Sequence, residues 1–239
     1  MIPSFFKSSG KKYVDLPRFQ ESGQYFARIV KSTTKELSGF GPATFSDIEI
    51  VASAPNSEFT PGDKASIACF HNGVAKYEDP TYHIIACAAQ GIPGPRSFQR
   101  EEGETSLEFA KRAAKAMGVS TKVPGDLDDD EAAGIITTRI NKRVQEAYET
   151  VFPQEAGENT DLGDVFALEV TPRFKNEKTD AGWRPVLDEN GNKVRKTDKK
   201  GFRLVYFNAG DVSEHMGTNG DIDDGVKSAM TDNGWTFAG

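Results

Sequence analysis

Apolar and polar residues alternate from residue 24 onward. In residues 24–32, Tyr25, Ala27 and Ile29 fall on one side and Phe26, Arg28 and Val30 on the other, the two-residue period of a strand. The run Gly39-Phe40-Gly41-Pro42 marks a turn, and residues 44–52 repeat the strand period with Ile48 and Ile50 on one face. Phe59-Thr60-Pro61-Gly62-Asp63-Lys64 turns the chain into a third strand, 65–70; proline then glycine suits the centre of a type II turn. The period then changes. Asp79-Pro80 opens a helix as N-cap and first helical residue, and Gly91 stops it. Residues 92–100 are a Pro/Gly loop. Thr105-Ser106-Leu107-Glu108 is a capping box for a helix that ends at Met117, before Gly118. The clearest helix is 129–151, where Ile136, Ile140, Val144, Ala147 and Val151 recur at three- and four-residue steps up to Pro153. The strand period returns in 165–174, with Phe166, Leu168, Val170 and Phe174 on one face, and in 202–208.

These elements predict a mainly β chain with a helical insertion at 79–152. Five strands with about three helices between the third and fourth have the connectivity of the OB-fold, a small Greek-key barrel. Residues 1–22 read as a basic, aromatic arm carrying Lys7, Lys11, Lys12 and Arg18 among Phe5, Phe6, Tyr13 and Phe19. Residues 23–210 form the OB-like domain, in which the loop 173–203 joins the last two strands. Asp188-Glu189-Asn190-Gly191 is the expected hairpin tip of that loop, flanked by arms 184–187 and 193–196. Residues 211–239, rich in Gly, Asp and Asn, read as a disordered acidic tail.

Charge sharpens this picture. The 239-residue chain has a net charge of −7, yet residues 173–203 hold ten Lys/Arg against five Asp/Glu. The tail from Asp211 carries six acids and one lysine, which could compete for the basic loop. Alternating single-sign blocks suggest specific partners, although blocks distant in sequence can also neutralise each other in space. A basic, aromatic-bearing hairpin fits a polyanion. Single-strand binding needs cations along the phosphates and aromatic faces for the bases. The candidate cations are Arg28, Lys31, Arg173, Lys175, Lys178, Arg184, Lys193, Arg195, Lys196, Lys199 and Arg203. The candidate stacking residues are Tyr25, Phe40, Phe70, Trp183 and Tyr206. Tyr25 and Tyr206 read equally as core, and Trp183 either stacks or folds onto its own hairpin.

The run Gly23-Gln24-Tyr25-Phe26-Ala27-Arg28-Ile29, the turn 59–64, and the strands 165–170 and 202–207 resemble those of tailed-phage single-stranded-DNA-binding proteins with an OB-fold. The resemblance spans roughly residues 20–210. It implies coating of single strands during phage replication or recombination in the host cytoplasm, without metal or cofactor, as a possible homo-oligomer on DNA. It also implies an acidic tail tipped by Trp235 and Phe237 that docks on replication or recombination proteins. The alternatives are a phage structural or assembly protein and a strand-annealing mediator.

Other classes find little support. There is no GxxxxGK[ST], HExxH or GxSxG motif, so an enzyme is not expected. The run Asp126–Glu131 is better read as helix-capping carboxylates than as a metal site. No apolar run reaches eighteen residues, and the start lacks a signal-peptide pattern. Cys69 and Cys87 read as buried thiols of a reducing compartment, and His71, His83 and His215 lack zinc spacing.

Overall fold

β1 (Gly23–Leu37) is the strand against which the others are ordered. The computed structural model describes residues 16–38, 41–71, 80–94, 98–160, 162–179, 182–212, 215 and 222–238. Most of the expected arm (1–15), Phe40, Asp79 and Asp221 lie outside the described residues. β2 (Gly41–Ser53), β3 (Lys64–Phe70), β5 (Phe166–Pro172) and β8 (Val205–Asp211) join β1 in the antiparallel order β3-β2-β1-β5-β8. Two short strands complete the sheet: β4 (Gly157–Asn159) on β1 and β9 (Thr236–Phe237) on β2. Register shifts at Phe26/Ala27 and Ile29/Lys31 bend β1, as bulges do by increasing local twist. The inward residues Tyr25, Ala27, Ile29, Ile48, Ile50, Ile67, Phe166, Leu168 and Val170 gather into one core.

The sheet is not the closed barrel expected. β3 and β8 end the strand order, and other parts of the chain fill the gap between them. α1 (Pro80–Ala89) is one of these. Its residues Ile84 to Ala89 are all buried, as befits a helix apolar all round. The Tyr82 hydroxyl donates to the Ala68 carbonyl of β3 at 2.6 Å. Ile85, Ala86, Ala88 and Ala89 share the core that Val205, Phe207 and Ala209 of β8 pack against. Gly163, at φ +100°, lets the chain pass the end of α1: a Cβ there would sit 1.8 Å from the Ala89 carbonyl oxygen.

Residues 16–21 are the other filler, which corrects the arm reading for this stretch. The Pro17 carbonyl accepts from the Ser66 amide of β3 at 2.8 Å, and Phe19 is 3% exposed. Its ring meets Tyr25, Phe59 and Phe207 edge-on at 5.6, 5.0 and 5.6 Å.

α2 (Ser106–Ala116) and α3 (Asp129–Val151) pack on one another through Ala110, Ala114, Ala133 and Ile136. Thr105 and Asp128 cap them in reciprocal boxes with Glu108 and Glu131. α3 ends by burying Val151 and Phe152 in the main core. A polar chain ties this end to the sheet. His71 Nδ1 lies 3.0 Å from Tyr148 Oη and its Nε2 lies 2.7 Å from Thr44 Oγ1. The Thr44 and Thr34 hydroxyls are 2.7 Å apart and both reach the Pro153 carbonyl. Cys69 and Cys87 are buried, and burial pushes the Cys87 thiol up to about 11.

The tail is the largest departure from expectation. Instead of disorder it forms α4 (Asp224–Asp232), a fourth helix, and then β9. Ile222, Val226, Met230, Trp235 and Phe237 close over Phe26, Val51, Ala52 and Ala167 on the outer sheet face. That cover explains why Phe26 is buried although it points away from the main core.

Phe19→Ala should lower the unfolding free energy by about 3–5 kcal/mol, the cost of truncating a buried Phe. A change within about 0.5 kcal/mol, typical of an exposed site, would place Phe19 in a loose arm. A pH dependence also follows from His71, whose pKa is held below its ordinary 6.5 by burial. The unfolded chain takes up this proton first, so the His71 contribution is present above the unfolded pKa and drains as pH falls below about 6.5. The urea midpoint should fall between about pH 7.5 and 5.5, and fall less in His71→Gln. The same fall in both proteins would contradict this assignment.

Candidate nucleic-acid interface

Between β5 and β8 the chain builds three lobes on a common base. The first is β6 (Asn176–Thr179) paired with β7 (Gly182–Pro185), setting Lys178 opposite Trp183 and Glu177 opposite Arg184. The other two turn at Asp188-Glu-Asn-Gly191 and Asp198-Lys-Lys-Gly201 by one device. Asp188 Oδ1 accepts from the amides of Asn190 and Asn192 at 2.9 and 2.8 Å. Asp198 Oδ1 accepts from Lys200 and Phe202 at 2.8 and 3.0 Å. Gly191 and Gly201 supply φ of +80° and +88°, a conformation that glycine adopts without steric cost. Backbone bonds from Asn192 hold the Asp188 carboxyl below its usual range, so it stays an anionic acceptor at neutral pH.

The base of the lobes is two rings of three backbone hydrogen bonds. In one, Arg173 N donates to Leu204 O, Leu204 N to Lys196 O and Lys196 N to Arg173 O, at 3.0, 2.8 and 2.9 Å. In the other, Lys175 N donates to Val194 O, Val194 N to Val186 O and Val186 N to Lys175 O, at 2.8, 2.9 and 2.9 Å. Each ring satisfies three amides and three carbonyls without a regular ladder. Glu21 clamps the base to the domain. Its carboxylate pairs with Arg195 at 2.8 Å and with Arg203, while the Gln20 carbonyl accepts from the second Arg195 terminal nitrogen. Glu58 holds this stretch in turn, accepting from the Gln20 and Glu21 amides at 2.8 and 2.9 Å.

The candidate residues of the nucleic-acid site therefore separate. Lys175, Lys178, Arg184, Lys193 and Lys196 are exposed on the lobes and pair with no carboxylate among the described residues; Lys199 and Lys200 join them. Trp183 is 72% exposed. Arg173 lies 4.0 Å over the Tyr206 ring, and Lys193 lies 5.7 Å over Phe174. Arg195 and Arg203 brace the lobes through Glu21. Arg28 pairs with Glu49 at 3.0 Å, and Lys31 with Glu158 at 2.6 Å.

Tyr25 is not a stacking residue: it is 1% exposed, with its ring over Gly23. Its hydroxyl accepts from the amides of Glu58 and Phe59 at 3.0 and 3.4 Å. Tyr206, the other ambiguous tyrosine, is 53% exposed. Phe70 stands exposed at the end of β3, the opposite edge of the strand order from the hairpin. Trp235 and Phe237, expected to reach for partners, are seated on the chain's own sheet. Among the described residues no group of His, Cys, Asp and Glu has the arrangement to hold a metal, and no helix is long and apolar enough to cross a membrane.

Sequence reasoning missed Phe202 and Leu187, which are 40% and 55% exposed beside the unpaired cations. The strand pattern of 202–208 takes in Phe202, but β8 starts three residues later, at Val205. The repeated Asp-x-x-Gly spacing of the two tips was the signal for the third lobe.

No family model, curated protein or solved structure matches this chain.

Glu21→Ala should destabilise the protein by about 1–2 kcal/mol, since it strips a charge-assisted partner from a half-buried Arg195. Amide exchange should quicken at residues 195–204 before it does in β1 or β2. A uniform change, or none, would contradict the clamp.

Proposed function

We propose that this chain binds single-stranded DNA, without chemistry of its own, on the three-lobed hairpin between β5 and β8. One observation carries the reading. Of the five exposed large hydrophobic residues in the described chain, four, Trp183, Leu187, Phe202 and Tyr206, belong to the hairpin or the start of β8. They stand among seven cations that pair with no carboxylate among the described residues. Exposed apolar groups gathered in one place mark a contact surface. Aromatic faces among cations are what unpaired bases and their phosphates require, and stacking contributes ~1–3 kcal/mol per base. A protein partner with an acidic face would use the cations but has no special need for the flat rings.

The strand order supports the same reading. β3-β2-β1-β5-β8 is the order that an OB-type sheet would have if opened between its third and fifth strands, and the hairpin would then correspond to one of the two loops that such folds use to grip oligonucleotides. Coating of single strands in phage replication or recombination is the role this activity would serve. Self-competition by the tail is not part of the proposal, because its large apolar residues anchor it to the outer face of the sheet.

The double variant Lys193→Ala, Lys196→Ala tests the site. Neither side chain pairs with a carboxylate among the described residues, and Lys193 only overlies the Phe174 ring at 5.7 Å. Wild type should bind oligo-dT, with affinity falling steeply between about 50 and 200 mM salt. The variant should bind more weakly on every sequence, with a log–log salt slope smaller by about 1.4, from two lost phosphate contacts at ~0.7 each. No binding by wild type at low salt, or an unchanged slope in the variant, would overturn the proposal.

A further inference from the structure

A cleft of about 360 Å³ opens on the outer sheet face between the tail and the start of the hairpin, within the size range of small-ligand sites. Gln24, Glu169 and Asn208 are neighbours across β1, β5 and β8 and form its polar floor. Phe26, Met230 and Trp235 form its apolar wall, with the Phe26 and Trp235 rings 5.4 Å apart. One two-residue step along the same face stands the pair Thr171 and Tyr206, with Arg173 over the Tyr206 ring. That step is about 6.6 Å, within reach of the adjacent nucleotide of an extended strand.

Resting on the single-strand reading above, we infer that this cleft holds one unpaired base of the bound strand and that the base it fits is guanine. A carboxylate on the floor is wrong for a phosphate and right for a base edge rich in N–H donors. Glu169 meets Asn208 Nδ2 at 3.4 Å and pairs with no cation among the described residues. Oε1 is therefore open to a ligand, and Oε2 keeps a lone pair beyond the long contact from Asn208. Guanine offers N1–H and N2–H side by side, matching the two oxygens of one carboxylate. Cytosine and adenine offer one amino group beside an acceptor, and thymine one N–H between two carbonyls, so each would turn an acceptor toward the second oxygen. The Asn208 and Gln24 amides can donate to guanine O6, and Trp235 covers the ring. The tail would thus act as a wall of the binding track, which gives its seat on the sheet a use.

The test is a fluorescence-anisotropy titration of the full chain with labelled oligo-dT of one length, unmodified or carrying a single central dG, deoxyinosine or dC, with dGMP as competitor. The dG oligonucleotide should bind roughly tenfold tighter or more than all-dT, as a bidentate base contact predicts. Deoxyinosine, which lacks the N2 amino group, should lose most of that gain, and dC should show little of it. Glu169→Gln should bring the dG-to-dT ratio close to one, whereas Lys193→Ala should weaken both and keep the ratio. If dG and dT bind equally well, the cleft assignment fails while the hairpin proposal stands. A dG preference that survives Glu169→Gln also overturns it. If dGMP competes as well as the dG oligonucleotide binds, the cleft takes free nucleotides and is not part of a strand track. If no oligonucleotide binds, the single-strand reading itself falls, and this inference with it.

Discussion

The structure depends on how the gap between β3 and β8 is filled. An antiparallel sheet that does not close leaves two edges and an uncovered apolar interior. Here α1 and Phe19 occupy that gap. Phe19 touches a ring on β1, one in the β2–β3 connection and one on β8. Two residues later the same stretch presents Glu21 to Arg195 and Arg203. The contact that completes the core is thus continuous with the one that holds the basic hairpin. Loosening one would loosen the other.

The hairpin itself shows how a long polar loop becomes a fixed surface. Its large hydrophobic side chains are mostly exposed, so burial contributes little. Two hydrogen-bonded rings, two Asp-x-x-Gly tips and a carboxylate clamp hold it instead. Ordering the loop costs conformational entropy, and folding meets that cost before any ligand arrives. Cations and rings on such a base need little further ordering on binding, which favours affinity. The arginines divide by position. Arg195 and Arg203 at the base pair with Glu21 and Arg173 lies over the Tyr206 ring, while the lysines and Arg184 on the lobes keep their charge open to solvent.

Much of this was legible in the sequence wherever period and caps were local. Alternation marked the five long strands, and the Thr105 capping box and the Asp126–Glu131 carboxylates marked the starts of α2 and α3. Pro61-Gly62 marked its turn. What was not legible depended on contacts between distant segments. Nothing near Phe19 announces that it reaches Phe207. The barrel expectation failed because strand order alone does not tell whether β3 and β8 meet or whether α1 comes between them. The tail is a different case. Val226 and Met230 fall four residues apart behind a capping Asp223, with Ile222 four residues ahead of Val226 on the other side of the cap, and Gly234 at φ +83° follows. That helical stripe was present and was outweighed by the Gly/Asp composition around it. Of the site, the cations could be read as a cluster; which of them are already paired could not, because Glu21, Glu49 and Glu158 come from elsewhere in the chain.

In the proposed function, Trp183 and its neighbouring cations receive an unpaired strand. The chain has two tryptophans, Trp183 and Trp235. A Trp235→Phe protein therefore makes Trp183 the one tryptophan reporter. Titrating it with oligo-dT at low salt should quench that emission in step with binding followed by anisotropy, because a base stacked on the indole quenches it. Binding without any change in Trp183 emission would show that the strand lies elsewhere and would contradict the account.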